Sequence, residues 1–264
     1  MNEDAIGVLD SGVGGLTITK ELIKLLPEES VCYISDSLNT PYGSKNSEEI
    51  YLLSEKLIRF LIAKKVKLIV IACNTITVSC IERLRIAFPL MPIVGTVPII
   101  KKAVIESKNK RVGILSTMRT ARSEYLQTLI NTYGQGCFII NRGNDSLVPL
   151  IENNEADEEK ITRVIKTVLR PFHEMQIDTL ALGCTHFPLL REQIENEMGK
   201  YVLVLDSGAA IARQVARILD HNAIRTTNKE PVYDFYSTGE NSIMNTYIKK
   251  YLKLNNYNIE KITL

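Results

Sequence analysis

Short runs of β-branched and aliphatic residues, each followed by a longer amphipathic stretch, recur along this chain and constrain its fold more than any other feature. The apolar runs are 5–9, 31–35, 68–72, 93–95, 111–115, 137–140, 179–182 and 202–205. Between them, segments 16–26, 47–65, 120–133, 158–175 and 207–219 place apolar residues at helical spacing. A strand that is apolar throughout needs cover on both faces, and helices alternating with the strands supply it. The expectation is therefore an α/β chain with mostly parallel sheets flanked by helices. At 264 residues, 45% of them hydrophobic, the chain can bury the core of one large domain or two smaller ones.

Two echoes point to paired halves. Asp10-Ser11-Gly12 follows the first strand and Asp206-Ser207-Gly208 a much later one, while Ala72-Cys73-Asn74-Thr75 is matched by Gly183-Cys184-Thr185-His186. Each alone is ordinary N-cap chemistry, but two at strand-to-helix junctions argue for an internal duplication. The expected organisation is two pseudo-symmetric lobes with a cleft between them, residues 1–97 plus 207–264 in the first and 98–206 in the second. The Pro-bearing stretch 91–98 then carries the chain across and 206–208 returns it, and 225–230 reads as a surface loop.

Composition narrows the partners. With 32 basic against 30 acidic residues the formal net charge is +2, so nothing favours nucleic acid or an anionic membrane. The most apolar segment, 68–73, is six residues long, against the roughly 20 of a membrane helix. Met-Asn-Glu-Asp at the start lacks the basic and apolar regions of a signal peptide, so a cytoplasmic protein is expected. Five cysteines, an odd number with no CxxC pair, argue for free thiols rather than a disulfide framework.

Ligands of open parallel sheets bind beyond the carboxyl ends of the strands, where helix N-termini present free N–H groups. Cys73 and Cys184 each stand at the first position after a strand, where a helix N-terminus is expected to lower a thiol's pKa. Cys32 and Cys80 fall inside a strand and a helix, and Cys137 at a strand start, as buried or partly buried residues. Two thiols far apart in the chain are poorly placed for a redox pair, and a zinc site lacks ligands beyond His186. Acid and base on opposite faces of one carbon is the third option: one thiolate removes a proton and the opposing thiol delivers another, inverting the centre. Asp10 and His186 are the neighbours able to assist them. Ser11, Asn74, Thr75, Thr117 and Thr185 supply donors for a small zwitterion, and Pro41-Tyr42-Gly43 could close over it.

Competing motifs fail on their residues. Gly12-Val13-Gly14-Gly15 resembles the start of a dinucleotide loop, but Thr17 replaces the third glycine, and no P-loop or GxSxG elbow is present. The Lys/Tyr-rich stretch 247–257 reads as a solvated amphipathic helix rather than a nucleic-acid site.

At these residues the sequence closely resembles the glutamate racemases of bacterial cell-wall synthesis, within the aspartate/glutamate racemase superfamily. The matching stretches are 7–17, Pro41-Tyr42-Gly43, Ala72-Cys73-Asn74-Thr75 and 182–190, with Ser116-Thr117-Met118-Arg119-Thr120 and Val148-Pro149-Leu150-Ile151-Glu152 between them. The resemblance implies an active site between two α/β lobes and interconversion of L- and D-glutamate with no cofactor and no metal. It implies Cys73 and Cys184 as the acid/base pair, Asp10 and His186 as their activators, and Ser11, Tyr42, Gly43, Asn74, Thr75 and Thr185 as substrate-binding residues. Glu152 matches a family glutamate near the histidine, with Thr117 and Pro41 as further supporting positions. The family is often dimeric, so a homodimer is among the expected assemblies. Two departures stand out: the loop before Pro41 reads Asp36-Ser37-Leu38-Asn39-Thr40 where the family usually carries an Arg, and Ile76-Thr77 replace small residues. A superfamily racemase acting on aspartate and a non-catalytic amino-acid-binding protein remain the alternatives.

Overall fold

The computed structural model describes residues 4–226 and 230–264. Among the described residues ten strands form two sheets. The first orders β10(Asn258–Lys261), β9(Tyr233–Ser237), β2(Val31–Ser35), β1(Ile6–Asp10), β3(Leu68–Ile71) and β4(Ile93–Gly95) side by side. The second orders β6(Phe138–Gly143), β5(Arg111–Ser116), β7(Thr179–Gly183) and β8(Leu203–Leu205). Every pairing is parallel, in register Ile6↔Val31 and Ile6↔Leu68 in the first sheet and Val112↔Thr179 in the second. The fold is α/β with two parallel sheets flanked by helices. The chain passes between sheets after β4 and returns after β8.

The strand pleat divides the core. Val8, Tyr33 and Val70 face an apolar cluster shared between the sheets, with Leu115, Leu182, Phe187 and Leu147 arriving from the second. Their neighbours Leu9, Ile34 and Ile71 point the other way, into a cluster under α2(Ser47–Ala63) and α3(Asn74–Ala87). Val112, Ile114 and Ala181 cover the far face of the second sheet, beneath α4(Ile100–Glu106) and α6(Glu124–Tyr133). Since strands with two buried faces must be apolar throughout, continuous runs rather than alternation marked them in the sequence.

Several expectations need correcting. The stretch 120–133 is not one helix: α5(Met118–Ala121) ends first, and α6 restarts where Ser123 accepts the Leu126 N–H. The chain 247–257 is not an amphipathic helix; α11(Asn241–Tyr247) runs into a wide turn over Ile248–Leu252, and Lys253 leaves it with φ 57°. β10 escaped the sequence reading as a polar, exposed edge strand, and β9, paired on both sides, because Asp234 and Ser237 interrupt its apolar run. Of the loop 225–230, residues 227–229 lie outside the described residues. Among the described residues no helix is long and apolar enough to cross a membrane.

Candidate active site

Cys73 and Cys184 reach the same cleft from different sheets. Cys73 caps α3 after β3, and Cys184 follows β7 just before a short 3-10 turn, Phe187–Leu190. Both thiols are buried and line one cavity with Ser11, Pro41, Tyr42, Gly43, Asn74, Thr75, Thr117, Asp145, Val148, Thr185 and His186. Its free volume is about 10 Å³, room for about one water molecule. The cleft is therefore too narrow to hold an amino acid.

The β1–α1(Leu16–Leu25) turn forms its floor and explains the glycines. A Cβ on Gly12 would lie 1.9 Å from Glu152 Oε1, and one on Gly14 would lie 2.3 Å from His186 Nδ1. Bare backbone is needed there so that the His186–Glu152 pair can pack onto the turn. The glycine run that resembled a dinucleotide loop serves this contact instead. Asp10 Oδ1 accepts the Gly12 N–H at 2.8 Å, as Asp206 Oδ1 accepts the Gly208 N–H at 2.7 Å. The Asp-Ser-Gly echo is thus a shared local hydrogen bond and not the mark of duplication expected of it, because β8 is the sheet's edge strand and matches β4 rather than β1. Cys73 after β3 and Cys184 after β7 do stand at matching positions. Asp206 goes on to pair with Arg191, while Asp10 Oδ2 takes the Thr185 hydroxyl at 3.0 Å.

Around Cys184 the histidine is held on both sides. His186 Nδ1 lies 3.8 Å from the Cys184 sulfur, and Nε2 lies 2.5 Å from Glu152 Oε1, which also accepts the Val13 N–H at 2.7 Å. Burial opposes a charged imidazole, but the hydrogen bonds and charges of Cys184 and Glu152 outweigh it and hold the His186 pKa well above its ordinary value. Asp10 is pushed the other way for a carboxylate. Complete burial raises it to about 6, against the lowering influence of His186, the Gly12 N–H and Thr185.

Cys73 corrects an expectation. Rather than being lowered by its helix N-terminus, its thiol is pushed up to about 12, by burial first and by the Asp10 charge second. The Ile76 N–H and the Ser11 hydroxyl, 3.6 Å from the sulfur, pull it down but do not win. Desolvation in a narrow cleft disfavours the thiolate more than the helix dipole favours it.

The remaining residues divide between cleft and scaffold. Thr75 and Thr117 bond each other at 3.0 Å across the junction, and Asn74 donates to the Thr96 carbonyl at 3.3 Å. The backbone N–H groups of Asn74 and Thr75, at the first two positions of α3, have no carbonyl within their own helix to bond. Tyr42 lines the cleft with its ring, but its hydroxyl donates to Asp36 at 2.6 Å. Asp36 also accepts from Asn39 and Thr238, so the unusual loop before Pro41 is an anchor for Tyr42. Cys32 and Cys80 are buried and Cys137 half-buried, away from the cavity lining. Among the described residues no three His, Cys, Asp or Glu side chains are grouped to hold a metal.

Sequence reasoning missed Asp145, which stands in the cleft wall and receives the Met118 N–H at 3.0 Å. β6 runs three residues further than its apolar run, to Gly143, and only that extension places Asp145 at a strand's carboxyl end.

Two parallel α/β sheets closing on a cleft to which each contributes a buried thiol define a racemase-type α/β protein. Comparison places it more closely. The chain belongs to the Asp/Glu/Hydantoin racemase family, whose profile matches residues 6–215. It is 34% identical to the glutamate racemase of Enterococcus faecalis over 266 residues, covering 100% of this chain and 97% of that one. A glutamate racemase isoform from Bacillus anthracis superposes with a TM-score of 0.91 at 32% identity, over 100% and 99% of the two chains. The glutamate racemase of Francisella tularensis, solved with D-glutamate, superposes with a TM-score of 0.86 at 28% identity, over 100% and 98%.

Proposed function

We propose that this protein interconverts L- and D-glutamate by passing a proton through Cα between Cys73 and Cys184, with no cofactor. One observation carries the reading: a buried thiol from each sheet lines the same cleft, Cys73 beside the Ser11 hydroxyl and under the Asp10 charge, Cys184 beside His186. Cys73, its pKa near 12, holds its proton in the empty cleft. His186, held protonated by Glu152, puts a positive charge 3.8 Å from the Cys184 sulfur. In one direction the Cys184 sulfur takes the Cα proton and Cys73 delivers its own to the opposite face. In the other the roles exchange, Cys73 taking the proton and Cys184 supplying it. Water excluded from the closed cleft strengthens every one of these charge interactions.

Binding follows from the same residues. The N–H groups of Asn74 and Thr75 suit a carboxylate at the start of α3, and Asp10 suits the ammonium. A bound ammonium would also counter the Asp10 charge that raises Cys73, making that thiol easier to ionise only when substrate is present. Ser11, Tyr42, Gly43 and Thr185 complete the wall. In this reading the six-stranded and four-stranded sheets are two lobes that part to admit substrate. The relatives' shared name supports glutamate as the substrate. Supply of D-glutamate for peptidoglycan, in the cytoplasm and from a homodimer, completes the proposal.

The test is incubation with L-glutamate in heavy water, following optical activity and Cα deuterium together. Loss of optical activity with deuterium entering Cα, abolished in Cys73→Ala and in Cys184→Ala, is the expected result. No exchange from folded, reduced protein would overturn it, and the same assay with aspartate would then separate a related racemase from a binding protein.

A further inference from the structure

The narrow cleft raises the question of how a ligand reaches the thiols. Outside it lies an open groove of about 900 Å³. Groove and cleft share only two lining residues, Gly43 and Asp145. They come from different sheets' loops, Gly43 after β2 and Asp145 after β6, and they abut: a Cβ on Gly43 would lie 2.7 Å from Asp145 Oδ1. That same oxygen accepts the Met118 N–H. Asp145 is thus the partition between the groove and the two sulfurs.

The groove carries three cations and one anion besides Asp145. Lys45 is paired with Glu49, Arg119 bonds Ser47 and Ser79, and Arg122 and Glu124 are exposed. These cations favour collecting an anionic solute. The half-buried carboxylate at the partition does the opposite: it repels an anion unless that solute brings a positive group to replace the Met118 N–H.

We propose that Asp145 is a charge-selective gate that closes the cleft and admits amino acids, through their ammonium group, in preference to anions that have none. The inference rests on the cleft being the working site, but its test does not need turnover. The probes are iodoacetate and iodoacetamide, two thiol reagents of similar size, one anionic and one neutral. Alkylation is read by mass spectrometry on the peptides bearing Cys73 and Cys184, with glutathione as the open-thiol reference.

In the wild-type protein the cleft thiols should disfavour iodoacetate, relative to iodoacetamide, more strongly than glutathione does. Asp145→Asn retains an oxygen for the Met118 N–H but loses the charge. It should shrink that preference by about three- to ten-fold, the effect of removing one like charge several ångströms away in a partly solvated site. Should the variant fold poorly, raising the salt concentration on wild-type protein serves instead, because screening should narrow the ratio in the same direction. In steady-state kinetics Asp145→Asn should lower the inhibition constant of glutarate, which lacks the ammonium, more than the KM of glutamate. An unchanged reagent ratio, or equal acceleration of both reagents, overturns the gate. A shifted ratio in a protein that does not racemise glutamate would keep the gate and discard the assigned reaction.

Discussion

Replacing Glu152 by Gln tests the charge arrangement at Cys184 most directly. In the structure the carboxylate meets His186 Nε2 at 2.5 Å and the Val13 N–H at 2.7 Å, with only about a tenth of its side chain exposed. Glutamine can keep both contacts through its carbonyl oxygen, so the fold should hold while the charge goes. A hydrogen bond to a charged partner contributes about 1.5–3 kcal/mol, which corresponds to about one to two pKa units on His186. The His186 ionisation therefore moves to lower pH, and a positive charge on His186 beside the Cys184 sulfur becomes about ten- to a hundred-fold less favoured. kcat/KM should fall by that factor in both directions alike, because enantiomers have equal free energy and the two values must remain in the ratio of a unit equilibrium constant. The assay is circular dichroism of L- and D-glutamate solutions across pH, normalised to folded protein, with thermal melting run alongside. A kcat/KM within about two-fold of wild type would refute the reasoning, as would a loss matched entirely by loss of folded protein.

Two further outcomes are expected. Asp10 is fully buried and its pKa rises from 3.8 to about 6, so the folded state holds this proton more tightly than the unfolded chain. The stability it contributes is complete below about pH 4 and is lost as pH rises through 6, a difference of about 3 kcal/mol. Asp10→Asn should therefore melt higher than wild type near pH 7 and equally near pH 4, while its Cys73 is alkylated faster once the Asp10 charge is gone; coincident melting curves at both pH values would contradict this. Lys67 and Glu29 form an ion pair at 2.5 Å with both side chains almost wholly buried, so Lys67→Met should cost about 3–5 kcal/mol in urea unfolding, and adding Glu29→Leu should recover much of it. A single-variant loss below about 1 kcal/mol would show the pair to be better hydrated than its burial indicates.

Much of the site was legible because strand ends and helix starts write themselves locally. The eight apolar runs located eight strands within a few residues, and Asp10, Ser11, Cys73, Asn74, Cys184 and Thr185 stood out because the residue following a parallel strand faces the ligand edge. Of the missed strands, β10 is an exposed edge whose apolar signal is weak, while β9 is an inner strand whose short run is broken by Asp234 and Ser237. Asp145 was hidden for a related reason, since β6 ends in Asn141-Arg142-Gly143, whose pairing with β5 leaves no mark in hydropathy.

What the sequence determined alone was the set of parts: an α/β chain, two thiols after two strands, and a glycine-bearing turn. Tertiary structure decided their chemistry. That Cys73 rises rather than falls in pKa, that Glu152 holds His186, that Tyr42 turns its hydroxyl to Asp36 and that Asp145 seals the cleft all depend on which distant groups share a desolvated volume. Local sequence sets backbone direction and helix dipoles, whereas burial and the sign of neighbouring charges arise only when residues far apart in the chain are packed together.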